Sequence, residues 1–206
     1  MYLSDRDLRW AIDCGILIVD PAPKSIDSTS IDLHLDVIEQ AKVWNIGSYN
    51  RDRKAAGDPP SELRIGKFEY KNFAPRYLVP PPEDDKQLVF RRGNEIIIRP
   101  QGFLLWQTKE VVGTPEEGAN LICFIDGKST RARTGLLVHL TAPTIHASWS
   151  GQVTLEIANL GPFSFVLQEG DVIAQITVAQ VSSIPEQNMK AAGSVTYHQR
   201  SVSAKE

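Results

Sequence analysis

Short apolar runs separated by Gly, Pro or polar residues dominate the chain after residue 85. The runs are rich in Ile, Val, Leu and Phe, and their nearly regular spacing is typical of strands in a sandwich, jelly roll or barrel rather than in a parallel α/β sheet. The predicted strands are 86–91, 95–99, 102–108, 119–125, 136–141, 152–158, 163–167 and 171–180. The pattern therefore predicts a mainly β fold.

The N-terminal segment carries one helical signal and two strand signals. Ser4 followed three residues later by Asp7 is a capping-box pattern, which predicts a short amphipathic helix. The apolar run 16–19 predicts a brief strand. Apolar and polar residues alternate over 30–36, as in a half-buried strand, and this alternation predicts that Asp32 lies on a solvated strand face.

The periodicity is lost between about residues 44 and 85, where basic clusters and Pro-rich stretches alternate. We interpret this region as a surface excursion with one short strand, and not as a linker between domains. The last residues, about 186–206, are predicted to form a mobile tail. With 206 residues and 42% hydrophobic content, the whole chain 1–206 is expected to be a single domain.

Composition restricts the possible classes of function. The chain has 22 basic and 25 acidic residues, and its net charge of -3 argues against non-specific nucleic-acid binding. No run approaches the roughly 20 apolar residues of a membrane span, so we expect no membrane association and a soluble, cytoplasmic protein. Cys14 and Cys123 are far apart in apolar surroundings, which predicts buried free thiols.

Glu156 is the only formally charged residue between residues 134 and 168. In the strand 152–158 it points away from the apolar face, beside Thr154 and Ala158. A solvent-facing strand glutamate would normally have other charges nearby, and none are present in this segment. Since a carboxylate in an apolar segment needs a cationic partner or a role in proton transfer, we interpret Glu156 as part of a pocket wall.

A dense cationic and hydroxylic segment covers residues 127–133. It superficially resembles the end of a P-loop, but that motif requires a glycine where this chain has Ile122. A strand leading into a short helix remains, with Arg131 and Arg133 available for bidentate phosphate contacts. An anion site and a capped surface helix with solvated charges are both compatible with this pattern.

Other candidate chemistry is weaker. Two isolated cysteines cannot form the zinc site of the zinc-dependent nucleobase deaminases, and the four histidines show no metal-ligand spacing. His139 lies in an apolar run and is interpreted as a core histidine whose polar atoms are hydrogen-bonded. Trp149 offers a stacking platform for a sugar, although a packed turn aromatic is the more common outcome.

Two segments resemble motifs of the dCTP deaminases, which belong to the trimeric dUTPase superfamily: Gly-Lys-Ser-Thr-Arg-Ala-Arg-Thr-Gly-Leu at 127–136 and Trp-Ser-Gly-Gln-Val-Thr-Leu-Glu at 149–156. Segments 1–20 and 30–36 extend the resemblance over nearly the whole chain outside the excursion. The resemblance implies a dUTPase-like β-barrel or jelly-roll subunit with a short N-terminal helix and one short helix after Gly127. It also implies a homotrimer with active sites at subunit interfaces that binds a deoxynucleoside triphosphate.

The resemblance further implies a metal-free hydrolytic deamination of dCTP to dUTP and ammonia. Glu156 would be the general base and proton shuttle, while Ser129 and Arg133 would hold the water, the base and the phosphates. Magnesium would be bound through the nucleotide triphosphate, without zinc. His139 falls where the family has a histidine linked to feedback by dTTP. The resemblance assigns substrate binding to Lys128, Thr130, Ala142, Ile145, Trp149, Tyr197 and Gln199.

The segment 142–149 departs from the family pattern. The family typically reads Ala-His-Arg-Ile-Asp-Pro-Gly-Trp, and this chain reads Ala-Pro-Thr-Ile-His-Ala-Ser-Trp. His146 replaces an aspartate that in dUTPases helps activate water or hold the sugar, which disfavours dUTP hydrolysis alone. Three alternatives stay open beside a dCTP deaminase: a dUTPase-type diphosphatase, a bifunctional deaminase and diphosphatase, and a non-catalytic nucleotide sensor. Pro143 and Thr144 also leave the base preference open.

Overall fold

Strands make up most of the regular structure in residues 1–186, the part of the chain that this computed structural model describes. The helices are α1 (Asp5–Asp13), α2 (Ile46–Ala55), α3 (Tyr70–Tyr77) and α4 (Ser129–Ala132). The strands are β1 (Ile18–Asp20), β2 (Ile31–His34), β3 (Val43–Trp44), β4 (Leu78–Val79), β5 (Val89–Arg92), β6 (Glu95–Ile98), β7 (Phe103–Gly113), β8 (Leu121–Gly127), β9 (Leu136–Val138), β10 (Thr144–Ile145), β11 (Ser150–Asn159), β12 (Phe165–Gln168) and β13 (Val172–Gln180). The prediction of a mainly β fold is confirmed.

Two four-stranded antiparallel sheets form the body of the fold, with strand orders β1-β7-β11-β9 and β10-β8-β13-β2. A three-stranded sheet, β12-β6-β5, and the pair β3-β4 complete the strand pairing. Apolar side chains from both four-stranded sheets belong to one hydrophobic core, to which β7 contributes Trp106 and β13 contributes Ile176. Alternation along the long strands thus places one face of each sheet in the core.

The N-terminal helix has the start that the capping box predicts. The side chain of Ser4 accepts a hydrogen bond from the backbone of Asp7, whose carboxylate accepts one from the Ser4 backbone in return. Leu8 and Ala11 are fully buried and anchor the helix to the core. Each predicted strand after residue 85 overlaps an observed one, with ends that shift by a few residues.

The excursion differs from its prediction, because it contains the two helices α2 and α3 as well as the short strand pair. The sequence of helix α2 has no apolar stripe, and accordingly none of its residues is buried. Helix α3 is only eight residues long and contains Pro75, and a proline in so short a segment is more typical of a loop. Helix α2 was missed because its hydrophobic periodicity is weak, and α3 was missed because it is short and contains a proline.

An aromatic cluster holds the excursion together in place of an extended aliphatic core. The ring of Phe73 lies 4.8 Å from the ring of Tyr77 and 5.5 Å from that of Tyr49, measured between centroids. Trp44 and Phe68 complete the cluster, at 5.3 and 5.0 Å from Phe73. Because α2 and α3 each contribute rings, the cluster joins the two helices.

Both cysteines are free, but the prediction that both are buried is wrong for Cys14. Cys14 is exposed because it follows the last turn of α1 as its C-terminal cap. Cys123 lies in the core, and burial raises the pKa of its thiol to about 12. None of the helices in residues 1–186 is long and apolar enough to cross a membrane.

Candidate active site

Glu156 lies on the face of β11 opposite the core. Val153, Leu155 and Ile157 of the same strand are buried, so the alternation places Glu156 beside Thr154 on the outer face, as predicted. Across the sheet Glu156 pairs with Leu105 of β7. The side chain is 42% exposed, which places the carboxylate at the boundary between protein and solvent.

His139 is the partner of this carboxylate. Its Nδ1 lies 2.9 Å from Oε2 of Glu156, and its backbone N–H donates to the Glu156 carbonyl oxygen over 2.8 Å. His139 is buried and has a φ of +53°, a left-handed conformation that is uncommon outside glycine. His139 directly follows the last residue of β9, and its imidazole contacts Glu156 on the neighbouring strand β11.

The second ring nitrogen determines where protons lie in this pair. Nε2 of His139 lies 2.8 Å from the carbonyl oxygen of Ala142, which can only accept, so Nε2 carries a proton. Nδ1 of His139 and Oε2 of Glu156 are both buried, and neither forms a hydrogen bond of good geometry with another described residue. The two atoms lie 2.9 Å apart, close enough for a proton to pass between the imidazole and the carboxylate.

The electrostatics of Glu156 reflect this contact. Burial raises the pKa of the Glu156 carboxyl, but the polar contact with His139 and its positive charge lower it by more. The net pKa is below the ordinary value for glutamate. Glu156 is therefore a carboxylate at neutral pH, and it lies beside the buried imidazole of His139.

Lys128, the first cation of the segment 127–133, forms an ion pair. Nζ of Lys128 lies 2.5 Å from Oδ1 of Asp32 on β2 and 3.3 Å from Oε1 of Gln175 on β13. Asp32 lies on the face of β2 opposite the core, as predicted, and its side chain is 36% exposed, but the sequence did not indicate its contact with this ammonium. The lysine thus fixes the start of α4 to the neighbouring strands.

The hydroxyls and guanidinium that follow Lys128 face solvent. Ser129, Thr130 and Arg133 are exposed, and α4 forms the single short helix that was predicted after Gly127. Nε of Arg133 donates to the Ser129 carbonyl oxygen over 3.2 Å, and no carboxylate of residues 1–186 pairs with its guanidinium. This leaves an arginine fork available to an external anion.

A cavity of about 190 Å³ connects the two regions, since it is lined by His139 and by residues that flank Ser129. Gly127 and Ala132 lie on its wall together with β9. No hydrogen bond or ion pair in the described part of the chain joins Glu156 to Ser129 or Arg133. Leu136 pairs with Asn159 and His139 lies beside Glu156, so about 10 Å of β9 separates Leu136, three residues beyond the cationic segment, from the His139–Glu156 pair.

The other predicted substrate-binding residues have different environments. Ala142 is exposed and its carbonyl fixes His139, whereas the side chain of Ile145 is in the core. Trp149 packs partly against the core, and its ring covers Gly151, where an added Cβ would lie 2.9 Å from Cζ2. Trp149 is therefore a packed turn aromatic. Tyr197 and Gln199 lie outside the described residues.

A second carboxylate–histidine contact was not predicted from the sequence. Glu110 is almost fully buried, and it accepts from the backbone N–H of His34 over 2.9 Å while its other oxygen lies 2.7 Å from Nδ1 of that residue. Alternation along β7 would have placed Glu110 on the core side, but nothing in the sequence indicated its partner. This contact joins β7 to β2 across the two sheets and has a structural role.

Comparison with known proteins defines the class of the molecule. The fold is shared with a 2'-deoxycytidine 5'-triphosphate deaminase from Agrobacterium tumefaciens, with a TM-score of 0.55 at 14% identity over 86% of this chain. The chain spans only 47% of that longer protein, and the similarity shows the fold alone. A model of the dCTP deaminase-like family matches residues 2–181. The chain belongs to the dCTP deaminase-like family, as the resemblance of its motifs predicted.

Curated relatives cover most of the chain. A protein of Thermobifida fusca named "dCTP deaminase, dUMP-forming" is 34% identical over 90% of this chain and 81% of its own length. One of Corynebacterium jeikeium with the same name is 33% identical over 90% and 85%. A "dCTP deaminase" of Marinomonas sp. is 30% identical over 88% and 84%. Relatives with and without "dUMP-forming" in their names are thus similarly distant from this chain.

Proposed function

We propose that this protein catalyses the hydrolytic deamination of dCTP. Family membership and the names of the relatives support the reaction class. The observation that carries the proposal is the contact between His139 and Glu156, because it places a carboxylate with a lowered pKa beside a buried imidazole on the outer face of a sheet.

In the proposed reaction Glu156 takes a proton from water, and the hydroxide adds to C4 of the cytosine ring. The carboxyl then returns that proton to N3 of the base, and a further proton reaches the amino nitrogen as the C4–N bond breaks. Water supplies one oxygen and two protons, and ammonia leaves, so atoms balance for conversion of dCTP and water to dUTP. His139 lowers the pKa of Glu156 and so offsets the effect of burial on this carboxylate.

The exposed end of the cationic segment is proposed to bind the phosphates. Arg133 supplies a guanidinium with no carboxylate partner among the described residues, and Ser129 supplies a hydroxyl and a backbone N–H. Lys128 acts mainly through its ion pair with Asp32, which fixes the segment. Residues 1–186 contain no group of three or more His, Cys, Asp or Glu side chains suited to a metal ion, so magnesium would be held by the triphosphate oxygens and would neutralise their charge.

We further propose that the active site is completed between subunits of a homotrimer. Within one chain, no hydrogen bond or ion pair of the described residues joins Glu156 to Ser129 or to Arg133. A neighbouring subunit that placed its own Arg133 and Ser129 near Glu156 would bring phosphate-binding and proton-transfer groups to one nucleotide.

A second candidate is a bifunctional enzyme that also cleaves the triphosphate to give dUMP and pyrophosphate. The names of the relatives from Thermobifida fusca and Corynebacterium jeikeium favour it. His146, which stands at the position of an aspartate in the family pattern, is exposed and speaks against it.

Separate assays of ammonia and pyrophosphate distinguish these functions. The purified protein is incubated with magnesium and dCTP, dUTP or CTP in parallel. The proposal predicts ammonia from dCTP without pyrophosphate, whereas the bifunctional candidate predicts both. Pyrophosphate from dUTP without ammonia from dCTP would indicate a dUTPase-type diphosphatase, and tight nucleotide binding without either product would indicate a sensor.

A further inference from the structure

The helical excursion contains a cavity of about 560 Å³ that shares no lining residue with the candidate active site. Its walls come from α2, α3 and the segment between them. The volume lies within the range of small-molecule sites in proteins. The cavity is therefore large enough for a ligand of nucleotide size.

The wall carries more positive than negative charge. Four cations, Arg53, Arg64, Lys67 and Arg76, line the cavity together with two carboxylates, Asp58 and Glu69, which leaves an excess of two positive charges. This local excess contrasts with the net charge of -3 of the whole chain. An anionic ligand is thus favoured here by electrostatics.

Arg53 is fixed inside the wall. Its Nη1 lies 2.8 Å from Oδ2 of Asp58, and its Nε donates to the Pro59 carbonyl oxygen over 3.1 Å. Its Nη2 is buried and has no hydrogen-bond partner in the described part of the chain. A buried donor without a partner is costly, so this corner of the cavity has hydrogen-bonding capacity that the protein itself leaves unused.

The remaining three cations of the wall differ in whether they form ion pairs. Nη2 of Arg76 lies 2.8 Å from Oδ2 of Asp52, so part of its charge is compensated. Arg64 and Lys67 are exposed, and neither forms an ion pair with another described residue. These two side chains can turn toward an anion without breaking a contact inside the protein.

Aromatic rings supply the apolar part of the wall. Phe68, Phe73 and Tyr77 line the cavity and belong to the cluster that joins α2 and α3. Phe68 is only partly buried, which leaves part of its ring available for contact. Aromatic surface beside cations suits a ligand that has both a planar ring and phosphate groups.

We propose that this cavity binds a nucleoside polyphosphate at a second site, separate from the candidate active site. The phosphates contact Arg64 and Lys67, and the planar base lies against Phe68. The proposal rests on the cavity alone and does not require the chain to deaminate dCTP. Because the site is built from α2 and α3, its ligand would stabilise the excursion against local unfolding.

Calorimetry with ATP and with inorganic tripolyphosphate tests the proposal on the full chain. We expect ATP to bind more tightly than tripolyphosphate, because only ATP has a ring. The Arg64→Gln, Lys67→Gln double variant should raise the Kd for both probes by about tenfold or more, since two phosphate contacts are lost. Phe68→Leu should weaken the binding of ATP and leave the binding of tripolyphosphate unchanged.

The matched control is the Arg9→Gln, Lys24→Gln double variant, which removes the same charges from exposed positions outside the cavity. It should bind both probes like the wild type. The proposal is overturned if ATP does not bind at millimolar concentration, if both double variants behave alike, or if Phe68→Leu weakens both probes equally. Ammonia release from dCTP, measured on the same variants, should not change, so failure of this site and failure of the proposed function are distinguishable.

Discussion

Nδ1 of His139 lies 2.9 Å from Oε2 of Glu156, while Nε2 of the same ring faces the Ala142 carbonyl oxygen at 2.8 Å. The carbonyl can only accept a hydrogen bond, which indicates a proton on Nε2. The sequence indicated this histidine as a core or regulatory residue. The structure adds that its ring faces the carboxylate of Glu156 and lowers the pKa of that carboxyl.

Removal of His139 should change the pH dependence of the reaction. In His139→Gln the contributions of His139 that lower the pKa of Glu156 are lost while burial still raises it, so this pKa rises. The base is then protonated at a higher pH than in the wild type. We expect the acidic limb of the profile of kcat/KM against pH to move to higher pH, and ammonia release over a pH series measures it.

His146→Gln is the control for this shift, because His146 is exposed and does not contact Glu156 in the structure. Its profile should coincide with that of the wild type. An acidic limb that stays in place in His139→Gln would contradict the proposed role of the pair. The same would follow if His139→Gln and His146→Gln shifted it equally.

The sequence predicted the sheet residues well because alternation determines the side of a strand on which each residue lies. Glu156 was placed on the outer face by this argument alone, and the capping box located the start of the first helix. Contacts between distant segments are not encoded by local periodicity. The pairs of His139 with Glu156 and of Asp32 with Lys128 therefore required the structure.

Mixed oligomers test whether the active site is shared between subunits. Arg133→Gln and Glu156→Gln should each be inactive alone, since each removes one half of every site. After the two variants are unfolded together and refolded as a mixture, about one quarter of the interfaces would combine two intact halves. We expect about one quarter of the wild-type rate of ammonia release. A mixture as inactive as its components would show that both halves act within one chain.

The turn before β9 depends on close contact between two glycines. Gly135 has a φ of +96°, and a Cβ there would lie 2.3 Å from Cα of Gly161. Gly135→Ala should lower the free energy of unfolding by about 3 kcal/mol, because both strain and overlap are introduced. Gly15→Ala is the control, since Gly15 has a φ of +71° and open space around it.

Urea titration of both glycine variants measures the difference. The free energy of unfolding of Gly15→Ala should fall by only about 1 kcal/mol, which is the cost of a left-handed conformation for an L-residue. Equal losses in the two variants would show that the contact between Gly135 and Gly161 is not a steric constraint.

The ion pair between Asp32 and Lys128 should contribute modestly to stability. Asp32→Asn removes the charge that faces the ammonium at 2.5 Å and should lower the free energy of unfolding by about 1 kcal/mol. Asp27 is a matched control, because its carboxylate lies 3.8 Å from the same ammonium and is more exposed. Asp27→Asn should have a smaller effect in urea titration, and an equal or larger one would contradict this assignment.

Ammonia release from dCTP by the wild type and by Glu156→Gln, measured side by side with magnesium, tests the central claim most directly. The amide is similar in size to the carboxylate but cannot accept the proton of water, so the variant should fold, bind dCTP and release no ammonia. Binding by calorimetry and unfolding by urea serve as controls on the same preparations. Wild-type turnover with loss of turnover in Glu156→Gln is the predicted result, and ammonia release at an unchanged rate in the variant would contradict it.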